Sequence, residues 1–484
     1  MIRKLFALAA TTCAFASIGQ AAPVDKLQVF PFPQPIRYTH HNDDFTVRVR
    51  TPGGVWQDLY EYNVKVDLDT KQNASMVYFN FDGAVEVAVQ KNNGTFGKVA
   101  VRPESKGIKH TVRNGIVYFT LNRAENLSVE FDDDRLHNLH IFTHAIRKDM
   151  PQQPEDLTSY DITQGKAPDL TQPVVYFGPG VHSGEFRLRS NTTVYIDGSA
   201  MLKSPLVIEG VENVKVISDG IFDGVDMTTI RNAKNISIDG PIFVNQPEGT
   251  MRCITSQDLE ERSIRTIGAG QWSDGLGHFA CERVKISDSF VRTSDDSITL
   301  YNHRWDIWGN TRDITVTDST LWADIAHAVM IGIHGNTPTA AHPEAEVLER
   351  IRFSNIDILD HDEDEPEYEG AIGIMAGDDN LVRDVTFENI RVERIEEGKL
   401  FNLHIAYTPK YNTSPGRGIE NITLRNIHYS GKGSPSASVI YGYDKDRKVK
   451  NVVIENVTVE GKRLKGAEAN VLDIGPHTEG ISFK

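Results

Sequence analysis

The chain has 484 residues, 39% of them hydrophobic and 24% charged, with a formal net charge of −16. That length exceeds one ordinary compact domain, and the balance suits a soluble globular chain rather than a disordered or membrane-embedded one. So acidic a chain is unsuited to gripping nucleic-acid phosphates, and no stretch after the first twenty residues is long and apolar enough to span a bilayer.

The first element is a targeting segment. In "MIRKLFALAATTCAFASIGQAAPV", Arg3 and Lys4 precede an apolar run from about Leu5 to Ile18, and Gly19-Gln20-Ala21 places small residues where a signal peptidase reads. Residues 1–21 are therefore expected to be a secretory signal cut after Ala21, which sends the chain to the periplasm or outside the cell. A buried N-terminal helix would leave Arg3 and Lys4 without a purpose, and Thr11-Thr12 before Cys13 does not make a lipobox. Loss of Arg3 and Lys4 takes the charge from −16 to −18. Cys253 and Cys281 remain, either as a pair in an oxidising compartment or as two buried thiols.

Residues 22–170 read as short strands. "DDFTVRVRTP", "NVKVDLD", "GAVEVAVQ" and "GIVYFTLN" alternate apolar and polar residues, with "TPGG" and "NNG" as turns. A small β-sandwich accounts for them. The proline-rich, polar stretch 150–173 reads as a linker.

From 171 to 484 one phrase keeps returning, as in "NVKVISDG", "NISIDGPI", "RVKISDSF", "DITVTDST", "RIRFSNID", "DVTFENIR", "NITLRNIH" and "NVVIENVT". Its first apolar positions are Val214, Ile236, Val284, Ile314, Ile351, Val385, Ile422 and Val452, at intervals of 22, 48, 30, 37, 34, 37 and 30. The interval of 48 has room for two turns, one of them degenerate. One strong strand per repeat, without helical periodicity between, predicts an all-β solenoid: a parallel β-helix with inward apolar columns and corner Asn and Asp bonded along the axis.

Within it, "TSDDSITLY" (293–301) carries adjacent carboxylates in a run rich in strand formers. Read as a strand, it points Asp295 and Asp296 to opposite faces, one of them toward a core where a lone carboxylate is costly. Asp274, in "WSDG", precedes Asp295 by 21 residues, close to one coil, so parallel stacking brings the three onto neighbouring rungs. Gathered carboxylates raise one another's pKa, leaving one protonated as an acid while others stay ionised. That is equipment for inverting glycoside hydrolysis, with two carboxylates roughly 6.5–9.5 Å apart around a water. Corner aspartates capping backbone amides are the alternative, against which Asp274 one coil earlier counts.

Here the sequence resembles the polygalacturonase and dextranase clan of glycoside hydrolases. That clan's Asn-Thr-Asp-Gly is matched at Asp274-Gly275, its Asp-Asp at Asp295-Asp296, and its Gly-His-Gly and Ile-Gly run around His327 and at Ile331-Gly332. "LRSNTTVYIDGSAMLKS" is similar to the clan's first helix strand, and "VAVRPESKGIKHTVRNGIVYFTLNRAENLSVEFD" to the sandwich that precedes the helix in dextranases. The resemblance implies a right-handed parallel β-helix behind a β-sandwich, with Asp295 as general acid. Asp274 and Asp296 would position and deprotonate water, and His327 would keep the acid's proton or orient substrate. Trp272-Ser273 stand for Asn-Thr, Ala326 and Ala328 for the two glycines, and the interval from Asp296 to His327 is 31 residues. A satisfied core histidine is the other reading of His327, and His278, His303 and His334 compete for its role.

Trp305 and Trp308 follow the aspartate pair and either stack on sugars or pack a loop onto the helix. "DHDEDEPEYE" (360–369) reads as a solvated loop without calcium-ligand spacing. No cofactor or metal is expected, the partner is a polysaccharide or oligosaccharide, and nothing in the sequence bears on oligomeric state. A β-helical lyase would need a base and basic groups for a uronate, for which Arg292 and Arg304 are on offer. A non-catalytic glycan-binding helix would carry repeats without gathered acids. Polygalacturonases hold galacturonate with an Arg-Ile-Lys motif. Its equivalent here, "GAIGIMAGDDN", has Gly373 and Met375 at the basic positions and Asp378 and Asp379 after them, leaving Lys410 or Arg417 as the available substitutes. A neutral sugar such as that of an α-glucan is therefore expected at the cleavage site, with a pectin-directed polygalacturonase as the alternative.

Overall fold

The computed structural model describes residues 25–32, 40–148, 150, 168–335 and 338–484. The expected secretory signal (1–21) and residues 151–167 of the expected linker lie outside the described residues. Among the described residues nearly all regular structure is β, with one 3-10 turn, Glu104–Lys106. No helix among the described residues is long and apolar enough to cross a membrane.

The strands up to His144 form two sheets, of six and five strands. Their alternation decides the packing. Along Phe45–Arg50, Phe45, Val47 and Val49 turn inward while Arg48 stays exposed. Val77, Phe79, Val87, Val117, Leu139 and Ile141 meet them from the other strands in one sandwich core.

From Val174 on, the chain winds as a parallel β-helix. The repeat phrase stacks in register: Val214 pairs with Ile236, Val284 with Ile314, then Ile351, Val385, Ile422 and Val452. The long interval holds the degenerate coil, whose strand Gln257–Arg262 places Leu259 between Ile236 and Val284. Its phrase is unrecognisable because the second inward position is Glu261, buried and bonded across the same coil to His278 at 3.2 Å. His278 is thereby committed to the helix interior. At the corners, Asn191, Asn213 and Asn235 hydrogen-bond in a ladder (2.9 and 2.7 Å), as do Asn389, Asn426 and Asn456 (3.0 and 2.8 Å). These asparagines sit at positive φ, which Asn tolerates better than most side chains.

The sandwich docks on a second face of the helix. Tyr62, Tyr78 and Phe142 pack against Met201, Phe290 and Trp322. Arg102 reaches from the sandwich to Glu393 at 2.7 Å, and helix Arg292 is bonded to Asp324 (2.9 Å) and Asn138 (3.0 Å). Arg292, one of the basic groups offered for a lyase, is spent in this interface.

The acidic run 360–369 departs from the solvated loop expected of it: Asp360, His361, Glu363 and Glu369 are buried. The charge is matched by partners the run itself does not contain. Arg135 of the sandwich lies 3.4 Å from Asp360, Lys399 pairs with Glu369, and His361 Nδ1 bonds the Ala326 carbonyl at 2.6 Å.

Candidate active site

A third face of the helix carries the strands Met251–Ile254, Leu276–Phe279, Ile298–Tyr301, Val329–Gly332 and Ile372–Ala376, in parallel register. Leu276, Ile298, Val329 and Ile372 stack as one inward column. Two residues before each of the first three stand Asp274, Asp296 and His327. The stack that seals the core therefore also sets these three side chains on successive rungs, about 4.8 Å apart.

Asp295 and Asp296 do not lie in a strand. The chain bends between Phe290–Thr293 and Ile298–Tyr301, and the pair sits at that corner. The divergence expected of strand neighbours therefore does not arise. Oxygens of Asp274, Asp295 and Asp296 all lie within 4.8 Å of one another. This is tighter than the separation expected of an inverting pair. Three carboxylates so close could share a cation, but the Arg252 and Arg304 charges already act on Asp274.

The three differ in their surroundings. Asp274 is buried, and burial together with the Asp296 charge pushes its carboxyl up to about 7, against the pull of Arg252 and Arg304. Arg252 Nη2 lies 3.7 Å away. Asp295, the least buried, is pushed well up by burial and by both neighbouring aspartates. Its Oδ1 accepts the Asp296 N–H at 2.9 Å, while Oδ2 has no hydrogen-bond partner among the described residues. Asp296 is held on both oxygens: Oδ1 faces His327 Nδ1 (2.7 Å) and accepts the His327 N–H (3.1 Å), and Oδ2 accepts the Tyr301 hydroxyl (3.1 Å).

His327 is fully buried. Burial draws its pKa down, but the Asp296 carboxylate outweighs that, and the net movement is upward. Its Nε2 meets the Tyr368 carbonyl, an acceptor only, so Nε2 carries a proton. Nδ1 and Asp296 then share one more proton between them. Of the histidines considered, His327 is the one bonded to a cluster carboxylate: His303 bonds the Ile307 carbonyl at 2.8 Å, and His334 stacks edge-on against Tyr301. Ala326, at a glycine position of the resembled motif, takes φ +126°, a region that favours glycine.

Trp305 is 60% exposed, with the Arg252 and Arg304 guanidiniums 5.3 and 4.9 Å from its ring. Trp308 stacks on His342 at 4.0 Å and is used in packing the loop. Sequence reasoning missed Tyr301, Tyr368, Arg252 and Glu363, whose charge adds to that of Asp296 in raising His327. Tyr301 was in plain view in "TSDDSITLY"; Glu363 and Tyr368 were hidden in the acidic run.

On the far side of His327, a cavity of about 240 Å³ is lined by Ile333, Tyr368, Met375, Ala406 and Tyr411, with Glu365 and Glu367 also contributing. Gly373 is packed so closely that a Cβ there would lie 3.2 Å from the His327 ring. Lys410 pairs with Glu365, and Arg417 bonds the carbonyls of Asp379 and Glu346 (both 2.7 Å). Asp378, expected to repel an acidic sugar, instead caps the amides of Thr413 (2.6 Å) and Ser414 (3.1 Å).

No family model and no curated protein matches the sequence. Among solved structures, the chain is similar to Dex49A from Penicillium minioluteum, with a TM-score of 0.59 and 14% identity, covering 94% of this chain and 96% of that one. An exopolygalacturonase from Thermotoga maritima (TM-score 0.48, 12% identity, 64% and 84% covered) also aligns. So does a family 28 exopolygalacturonase from Yersinia enterocolitica (0.43, 11%, 83% and 97%). The first likeness establishes a shared fold over nearly the whole chain, so the resemblance to the polygalacturonase and dextranase clan extends from motifs to architecture.

Proposed function

We propose that the protein is a secreted or periplasmic glycoside hydrolase that cleaves a polysaccharide or oligosaccharide with inversion. The observation that carries the reading is Asp295: a carboxyl pushed well up, with an unengaged oxygen, beside two further carboxylates of which one is bonded to a buried histidine. Asp295 donates its proton to the glycosidic oxygen as the bond from that oxygen to the anomeric carbon breaks. A water held by Asp274 and Asp296 attacks that carbon and gives up its proton to Asp296. His327 positions Asp296 and holds charge against it.

The short spacing bears on stereochemistry. A retaining enzyme needs a carboxylate free to bond the anomeric carbon. Asp296 is held on both oxygens, and Asp274 keeps its proton to about pH 7. Neither is such a nucleophile, so two carboxylates acting on one water take the place of a single opposed base. The Cys253–Cys281 disulfide, joining neighbouring coils, fits an oxidising compartment.

At the subsite beyond His327 we favour a neutral sugar, such as that of an α-glucan, as the likeness to a dextranase would imply. Met375, Tyr368 and Tyr411 offer it apolar and stacking surface, and Lys410 beside them is paired with Glu365. Release of reducing ends from a panel of plant, microbial and algal glycans, with Asp295→Asn as control, tests the reading. Turnover should fall by about a hundredfold to ten-thousandfold in the variant. Undiminished turnover in a folded Asp295→Asn protein, or unsaturated uronate as product, contradicts it.

A further inference from the structure

The six-stranded sheet of the sandwich packs one face on the helix and the other against the five-stranded sheet. The outer face of the five-stranded sheet is therefore turned away from the helix. One of its cross-strand rows runs Arg48, Ala88, Tyr118, Thr111, and the next runs Arg50, Glu86, Thr120. Trp56, from the turn after Phe45–Arg50, leans over these rows, its ring centred 6.3 Å from that of Tyr118. The small side chain of Ala88 leaves a hollow of about 50 Å³ beside the two rings. On their other side the same rings border a cleft of about 960 Å³ that reaches the segment 106–109, Arg113 and Arg123. That is the size of a ligand site, for which roughly 300–1,000 Å³ is usual.

Five cations and two carboxylates line the cleft, in a chain whose net charge is −16. Glu86 is engaged by Arg50 at 2.5 Å, and Glu125 by both Lys106 (3.1 Å) and Arg123 (2.6 Å). The side chains of Lys109 and Arg113 are exposed and make no ion pair or hydrogen bond among the described residues. One exposed lysine is ordinary; a concave surface with this cationic surplus, on so acidic a protein, concentrates anions there and nowhere around it. The aromatic pair adds a second requirement. Arg50 lies 4.3 Å over the Trp56 ring, which Glu86 helps to brace. A ring pair that served only to seal the sheet would close the cleft, whereas Trp56 and Tyr118 border it. An anion without an apolar face would use the cations alone; a sugar ring also uses the aromatic surface.

We propose that this cleft is a second glycan-binding site, which holds an acidic polysaccharide carrying uronate carboxylates or sulfate esters. The oxyanions meet Lys109 and Arg113, and the sugar rings lie against Trp56 and Tyr118. The site belongs to the sandwich, apart from the helix face that carries Asp274, Asp295 and Asp296. It goes beyond the glycoside-hydrolase reading and does not depend on it: the sandwich keeps the protein on an acidic glycan whether or not that glycan is the one cleaved.

The test is titration calorimetry on the full chain at low salt, with Asp295→Asn present throughout so that no polymer is cut. Polygalacturonate, dextran sulfate, neutral dextran and inorganic polyphosphate are the titrants. Lys109→Gln together with Arg113→Gln should weaken binding of at least one acidic polysaccharide about tenfold, with no such loss for dextran. Which of the two responds separates carboxylate from sulfate. Lys109→Arg with Arg113→Lys should keep the binding. Trp56→Leu, its folding checked by Tm, should weaken the same polysaccharide and not polyphosphate, which has no sugar ring. Failure of both acidic polysaccharides to bind, or binding that survives loss of Lys109 and Arg113, overturns the site. So does a loss that falls equally on dextran. A folded Trp56→Leu protein that binds the acidic polysaccharide undiminished reduces the cleft to a basic patch and overturns the glycan. No bond is cleaved in these titrations, so their outcome is separate from reducing-end release, which judges the hydrolase reading by itself.

Discussion

Asp274→Asn tests the electrostatics of the cluster without requiring a substrate. The wild-type carboxyl moves from 3.8 to about 7 on folding, chiefly through burial and the Asp296 charge. A folded value above the unfolded one means stability that is full below pH 3.8 and lost as pH rises through 7. At about 1.36 kcal/mol for each factor of ten in proton affinity, the whole loss is roughly 4 kcal/mol, of which roughly 3 kcal/mol falls between pH 5 and pH 8. Asparagine has no such charge to hold. With an unfolding entropy of about 2.1 cal/mol/K per residue, a chain this long moves its Tm by roughly 1 °C per kcal/mol. Asp274→Asn should therefore gain about 3 °C on the wild type between pH 5 and pH 8, read by scanning calorimetry at several pH values. A constant Tm difference across that range, or one that shrinks as pH rises, would refute the claim that Asp274 is strained by its own charge.

His327→Asn should destabilise, with a pH dependence that runs in the same direction as that of Asp274→Asn. Its folded pKa is raised above 6.5, so the ion pair with Asp296 contributes fully below pH 6.5 and fades as pH climbs past the folded value. The substitution should cost about 3–5 kcal/mol near pH 6, less at pH 9, and a pH-independent cost would contradict the pairing. Reduction of Cys253–Cys281, separated by 28 residues, should remove roughly 3–4 kcal/mol, seen as a lower Tm in reductant; an unchanged Tm would argue against the bond contributing.

Much of the architecture was legible because a solenoid repeats its physics. Each coil needs β-branched residues at the same inward positions, so Val214 to Val452 announced the helix. The coil at Leu259 was silent because Glu261 stands at an inward position and bonds His278 inside the coil, a pairing only the fold reveals. The site was half legible. Asp274, Asp295 and Asp296 were found by spacing, but their convergence depends on a bend that strand propensity at Thr293 and Ile298 concealed. Arg252 carries no motif. It belongs to the site because rungs 252, 277 and 299 stack, and that is a fact of the fold. Composition misjudged 360–369, since the charges that bury it, Arg135 and Lys399, lie in other elements.

The stereochemistry of cleavage bears most directly on the central claim. Proton NMR of the first product formed from a cleaved oligosaccharide, recorded before mutarotation, reads the anomeric configuration. The account predicts the inverted anomer first, with no unsaturated product, and no signal from Asp295→Asn on the same time scale. A retained anomer would mean that one of the carboxylates bonds the sugar directly, and would contradict the assignment of Asp274 and Asp296 to a shared water.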